Sequence, residues 1–387
     1  MTGAEATLQS PIARPEGPAA DPVPDAWLAA LPKVDLHCHL IGTVRASTFA
    51  ELARREKLDL PDEPEAIWRD INSLPPDPGL YADTAIPVPQ GRAPGEPDVS
   101  YSLFQASKWV VESLRSADDL TRIVYEAFEG AHASGTRHLE LFFDDVPAHL
   151  SHLGLAGAME AYAEGIRQAE RDFGMTGRMI KGIDRSLSGE HALEQVRQVV
   201  DTPHEYLAGI GLDNLETAGP PERFVDAYRL AGEAGLGRTA HSSEHVPSAQ
   251  NTITCLDELG CDRIDHGYYV LEDPRVVDEV RERGVVFTVG STTSRRSWRP
   301  WRRASIRAML AQGLALTPCS DDPGMFPTSL ANEYAIMRDQ NGSSHAELTA
   351  MALRGVDASW LPASERAALR SSFEAEIARL DAEHSLA

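Results

Sequence analysis

Residues 235–241 read Gly-Leu-Gly-Arg-Thr-Ala-His, 260–266 Gly-Cys-Asp-Arg-Ile-Asp-His, 284–289 Gly-Val-Val-Phe-Thr-Val and 313–318 Gly-Leu-Ala-Leu-Thr-Pro. Each stretch opens on a glycine suited to end a helix and runs into a short segment of β character. Helical spacing fills the intervals: Phe224, Val225 and Tyr228 after Pro220 and Pro221; Ile253, Leu256 and Leu259; Val276, Val277 and Val280 after Pro274; Ile306, Met309 and Leu310. A strand-helix unit recurring every 25 residues or so, about the size of one crossover, calls for parallel strands. Upstream, Val34–Cys38, Arg137–Phe143, Arg178–Ile183 and Gly209–Asp213 supply further strands, for eight in all. Eight such units predict an α/β fold closed into a (β/α)8 TIM-type barrel. The open doubly wound alternative wants a G-x-G-x-x-G turn after its first strand, and Val34–Thr43 has none.

The chain has 387 residues, 42% hydrophobic and 25% charged, which is globular composition with room for a large core. Its formal net charge of −23 repels phosphate backbones and anionic lipid heads, so neither nucleic acid nor a membrane surface is an expected partner. Cys38, Cys255, Cys261 and Cys319 form no C-x-x-C pair and read as reduced thiols. No apolar run approaches the roughly 20 residues that span a bilayer, and the N-terminus lacks a signal-peptide pattern. A cytoplasmic protein is expected. Residues 1–30 read as a disordered tail, and 31–387 as the barrel with a helical insert at about 42–136. In that insert Thr48 and Glu51 suggest a capping box, Pro75, Pro76, Pro78, Pro87, Pro89, Pro94 and Pro97 mark irregular chain, and helical patterning resumes at Ser102–Val111 and Leu120–Ala133. Leaving from the C-terminal end of the first strand, it is a candidate lid over the barrel mouth.

Chemistry-bearing residues gather at the same strand ends. His37 and His39, two apart on the first strand, share a face. His241 ends the fifth run, His266 the sixth, and Asp321 with Asp322 follows the eighth. Imidazoles plus a carboxylate suit a borderline cation such as Zn2+, which keeps an open position for water when catalytic. That points to a hydrolytic metal site. Glu244, just past the fifth strand, is placed to exchange protons with a substrate nitrogen; a helix-start acid is the bland alternative. Ser294–Arg303 carries five arginines and two tryptophans after the seventh strand, where barrels frequently bind phosphate. Arg295 and Arg296 are therefore candidates for pairing with a substrate anion, with Trp298 or Trp301 stacking on an aromatic part; a solvated basic face or a subunit contact is the alternative. Cys38 alternates away from the histidines, Cys319 reads as a buried thiol, and His149 and His152 as an exposed helix start.

Four blocks carry a likeness: Pro32–Leu40 (Pro-Lys-Val-Asp-Leu-His-Cys-His-Leu), Thr239–Glu244 (Thr-Ala-His-Ser-Ser-Glu), Arg263–Gly267 (Arg-Ile-Asp-His-Gly) and Ser320–Pro323 (Ser-Asp-Asp-Pro). They resemble the signature blocks of the adenosine deaminase family, the adenosine/AMP deaminase-like branch of the amidohydrolase superfamily. Leu139-Glu140-Leu141 and Asn332-Glu333-Tyr334 match more loosely, and the likeness runs from about Leu31 to Tyr334. It implies that His37, His39, His241 and Asp321 hold one Zn2+ ion, that Glu244 protonates the ring nitrogen beside the attacked carbon, and that His266 orients the nucleophile and takes its proton. It also implies that Asp322 hydrogen-bonds the imidazole half of a purine, and that Lys181 bridges no second metal. The expected function is zinc-dependent hydrolytic deamination of an adenine-type purine nucleoside or derivative, with a small-molecule partner and release of ammonia. Aminofutalosine or an N6-substituted nucleotide is an alternative substrate, and another metal-dependent amide or phosphoester hydrolase the alternative class. The sequence leaves the oligomeric state open.

Departures from the family pattern sit at the substrate periphery. Ile41 stands where the family has the aspartate of His-x-His-Leu-Asp-Gly, a residue associated with the sugar hydroxyl. Asp213-Asn214-Leu215-Glu216 replaces Asp-Leu-Ala-Gly, making Glu216 either a contact to the base or a displaced loop residue. Gly290–Ser294 replaces Cys-Pro-x-Ser-Asn, and Phe142 replaces an arginine of the second strand.

Overall fold

The computed structural model describes residues 24–72, 101–292, 299–326 and 328–384. Its strands are β1 (Lys33–His39), β2 (Thr136–Phe143), β3 (Thr176–Asp184), β4 (Leu207–Asp213), β5 (Gly237–Ser242), β6 (Ile264–His266), β7 (Val286–Val289) and β8 (Ala315–Pro318). They pair in sequence order, every pair parallel. The eight expected runs are these eight strands, and the fold is the (β/α)8 barrel. The glycines that open the quoted stretches have the left-handed backbone their role requires, with φ of 77° at Gly235, 65° at Gly260, 66° at Gly284 and 73° at Gly313.

The seam between β8 and β1 is closed by site residues. Cys38 and Asp321 form a parallel bridge; the His39 N–H donates to the Asp321 carbonyl at 2.8 Å and the Asp321 N–H to the His37 carbonyl at 3.0 Å. Inside the barrel, below this level, the Arg263 guanidinium pairs with Glu140 of β2 at 2.6 Å, donates to the Leu36 carbonyl at 3.0 Å, and lies 3.9 Å over the Trp360 ring. Higher up the same face of β2, Phe142 packs against the rings of His37, His39 and His241 at 5.5, 4.8 and 5.8 Å. The interior is thus a paired charge at the base and an aromatic floor beneath the mouth.

Three expectations about the flanking chain are corrected. The stretch read as tail up to residue 30 contains a helix, Ala26–Ala30, capped by the Asp25 carboxylate and holding buried Trp27 and Leu28 in the core. Thr48 does not cap: the helix Ala46–Glu56 starts after Arg45, and the Thr48 hydroxyl, inside it, donates to Glu126 at 2.5 Å. The insert is also shorter than expected, because the helix Ala117–Ala133 packs in the outer layer against Gly154–Phe173, Thr121 donating to the Ala161 carbonyl at 2.8 Å. The helices Ala46–Glu56, Pro64–Asn72 and Leu103–Ser113 remain as the insert. Trp68 donates to the Gly324 carbonyl at 2.9 Å and Ser107 meets the Met325 sulfur at 3.8 Å, so the insert is tied to the loop that follows β8. All four cysteines are free and buried, and no described helix is long and apolar enough to cross a membrane.

Candidate metal and active site

Strand alternation turns His37 and His39 inward at the top of β1, and β5 delivers His241 to the same level. The Nε2 atoms of His37 and His39 lie 3.3 Å apart, those of His39 and His241 3.1 Å apart, and Asp321 Oδ1 is 3.5 Å from both His37 and His39. These four ligand atoms fall within 4.8 Å of one another. Two nitrogens at ~2.0–2.1 Å from one tetrahedral ion stand ~3.3 Å apart, so the spacing fits a shared cation such as zinc.

The other ring nitrogens are held from behind. Asp265, between β5 and β7, sets one carboxylate oxygen 3.6 Å from His37 Nδ1 and the other 3.5 Å from His241 Nδ1. Thr288 completes the brace, donating to Asp265 at 2.8 Å and lying 3.1 Å from His37 Nδ1. A carboxylate behind a ligand imidazole directs the proton to Nδ1 and the Nε2 lone pair toward the metal position. Burial pushes the His37 pKa down to about 4 and lowers that of His39, keeping both in the neutral form a metal requires. For His241 burial acts the same way, but the Asp265 carboxylate overrides it and the pKa rises to about 9. Burial opposes ionisation of Asp321, yet the surrounding His37, His266 and His39 hold its carboxyl well below the usual range.

Beside this cage, Glu244 Oε2 lies 3.6 Å from His266 Nε2 and 2.9 Å from His245 Nδ1. Burial works against the Glu244 charge, but His245, His266 and Arg302 together hold its carboxyl well below the ordinary value. His266 is kept neutral by burial. Simple alternation would send Asp265 and His266 to opposite faces of β6. His266 has a φ of 73°, and this left-handed turn lets both reach the site. Asn214 at 67°, Ser243 at 53° and Asp321 at 58° share that conformation, so the backbone departs from regular strand at four non-glycine points of the mouth. Asp322 is buried next to Asp321, and burial plus that neighbouring charge push its carboxyl well above its usual value.

Glu216 is not positioned as a base contact. One of its oxygens accepts the Ser243 N–H at 2.7 Å, and the other accepts the N–H groups of Glu244, His245 and Val246 at 2.9, 2.7 and 2.9 Å. Of the two sequence readings, these bonds fit the displaced loop residue. Trp301 is likewise core, packed 4.7 Å from the Tyr269 ring. Arg295, Arg296 and Trp298 lie outside the described residues. Lys181 pairs with Asp145 at 3.0 Å. Sequence reasoning gave no role to Asp265, Thr288 or Arg302. Asp265 stood inside a quoted block, so its place beside His266 was the available signal; Arg302 stood in the basic run Ser294–Arg303, and Thr288 carried none.

Candidate ligands converge at the C-terminal mouth of a β/α barrel with a buried acid and a neutral imidazole alongside, the arrangement of a hydrolase with a possible metal site. Residues 97–376 match the family model described as adenosine deaminase. The chain is 30% identical to the adenine deaminase of a Marinomonas species, with 86% of this chain and 92% of that one covered. It is 28% identical to the adenosine deaminase of Shigella flexneri over 89% of its own length and 98% of the relative's. Among solved structures, an amidohydrolase from Burkholderia ambifaria with bound zinc superimposes with a TM-score of 0.79 at 32% identity, covering 94% of each chain. The chain belongs to the adenosine deaminase family and is a hydrolytic deaminase acting on C–N bonds.

Proposed function

We propose that the protein is a zinc-dependent deaminase of an adenine-type ring, presented as the free base or as a nucleoside, with one ion per chain. The convergence of three imidazole Nε2 atoms and the Asp321 carboxylate beside Glu244 and His266 carries this reading. The zinc bound by the Burkholderia relative supports the choice of metal, and the adenine and adenosine deaminases among the relatives support the ring.

His37, His39, His241 and Asp321 would hold the ion. A divalent cation in such a cage supplies Lewis acidity and brings the ionisation of water close to neutral pH. His266, buried and neutral, accepts the proton that water loses on adding to the carbon bearing the amino group. Glu244, ionised in the resting site, passes a proton taken up on substrate binding to the adjacent ring nitrogen, which draws the electron pair away from the attacked carbon, and regains one from the added hydroxyl as the carbonyl forms. The carbon–nitrogen bond to the amino group then breaks, and ammonia leaves with the proton that His266 returns. Asp322, its carboxyl shifted toward the protonated form, can donate a hydrogen bond to a nitrogen of the five-membered ring. Phe142 floors the site and keeps water from beneath the imidazoles. The shortened insert, tied to the loop after β8, acts as a lid.

Ile41 gives weight to a second substrate reading. It is partly buried against the apolar cluster of the insert and offers no group to a sugar hydroxyl, which suits adenine itself or a derivative with a less polar or modified sugar, such as aminofutalosine or an N6-substituted nucleotide. The four free cysteines fit a reducing cytoplasm. Ammonia release should be measured with adenine, adenosine, adenosine 5′-phosphate and an N6-methyl derivative, before and after chelation and zinc restoration. Turnover of at least one that is lost on chelation and regained with zinc is expected. Release from none, or release indifferent to the chelator, refutes the assignment.

A further inference from the structure

The helix Arg299–Ala311, which follows β7, sends Arg302 into the active site. Its guanidinium is fully buried: one terminal nitrogen donates to Glu244 Oε1, the other donates to the Tyr268 hydroxyl at 3.3 Å, and the group lies 4.8 Å over the Tyr268 ring. Tyr268 is itself fixed, its hydroxyl donating to the Gly290 carbonyl at 2.9 Å and accepting the Gly290 N–H at 3.2 Å. Glu244 Oε2 is left to His245 and His266. Its two oxygens are therefore assigned to different neighbours.

We propose that Arg302 is a positioning residue for the ring-nitrogen proton transfer: it anchors Oε1 of Glu244 and thereby turns Oε2 toward His266 and the reacting ring. The inference rests on the deaminase reading above. A glutamate χ3 torsion is broad and nearly two-fold, so an unclamped carboxylate samples orientations that present neither oxygen correctly. The planar guanidinium, stacked on Tyr268, removes that freedom more completely than a point charge on a flexible stem. The loop below is held by Glu216, so Glu244 is located through its backbone from one side and through its carboxylate from the other.

Arg302→Met and Arg302→Lys should be compared in the zinc-loaded protein, with circular dichroism and metal content as controls. Arg302→Met should lower kcat by about 10- to 100-fold, part of the roughly 10²–10⁴-fold that a general acid–base group contributes, while KM stays within about threefold, and Arg302→Lys should recover part of the loss. In a Glu244→Gln background, adding Arg302→Met should cost little more, because both act through the same carboxylate. An independent loss in that background, or wild-type kcat in Arg302→Met, overturns the proposal. Full activity in Glu244→Gln would instead defeat the acid role on which the proposal rests. A readout that needs no turnover is the crystal structure of Arg302→Met: a Glu244 carboxylate rotated away from His266 is expected, and an unmoved one overturns the inference.

Discussion

Glu216→Gln tests how the proton-donor loop is held. In the native protein one carboxylate oxygen accepts a single N–H, from Ser243, and the other accepts three, from Glu244, His245 and Val246. The glutamine oxygen can keep the three bonds, now without charge assistance; a bond to a charged group contributes ~1.5–3 kcal/mol and a neutral one ~0.5–1.5. The glutamine amide then faces the Ser243 N–H, donor against donor, which costs ~1–3 kcal/mol for the orphaned group. Allowing for non-additivity among adjacent bonds, the loop should lose about 3 kcal/mol of local stability. At ~1.4 kcal/mol per factor of ten, amide exchange at 243–246 should accelerate ~100-fold, while strands remote from the loop keep their protection. Hydrogen exchange read by mass spectrometry checks this, and kcat should fall in parallel because Glu244 rides on the loop. Unchanged exchange at those four amides together with normal turnover would refute the claim that Glu216 positions them.

Asp265→Asn leaves only one acceptor for two imidazole N–H groups, so zinc affinity in a competing-chelator titration should weaken by about 10- to 100-fold; an unchanged affinity would remove Asp265 from the cage. Arg263→Met strands the buried Glu140 carboxylate and should destabilise the fold by about 3–5 kcal/mol in denaturant unfolding, with Glu140→Met restoring much of it. Burial alone raises the Glu140 pKa, but Arg263 and His138 draw it below 4.5, so the stability it contributes is full above that pH and is lost as the pH falls through the lower native value. The acid limb of wild-type stability should accordingly be steeper than that of the double variant. A methyl group on Gly42 would lie 1.9 Å from Asp322 Oδ1 and 2.7 Å from its Cβ, so Gly42→Ala should displace Asp322 and raise KM at least ~10-fold with zinc content intact; an unaltered KM would show that Asp322 makes no substrate contact.

Strand count, strand order and the set of candidate ligands were legible in the chain because all three follow from local patterns. A helix-ending glycine followed by a β run repeats around the barrel, and each metal-ligand candidate stands at the C-terminal end of such a run. The barrel rule then brings those ends together whatever the loops do. What tertiary structure alone decided are contacts between residues far apart in sequence or against local preference. The left-handed backbone at His266 reverses the face that alternation assigns it. Asp265 became the brace for two imidazoles only once β5, β6 and β7 stood side by side. Glu216, which sequence could place either at the substrate or in a displaced loop, is engaged by backbone amides more than 25 residues away. Arg302 lay in a basic run read either as an anion-pairing segment or as a solvated face or subunit contact, yet folding buries it against an acid 58 positions earlier. A charge is expensive to bury unless its partner is already in place, and only the closed barrel supplies that partner.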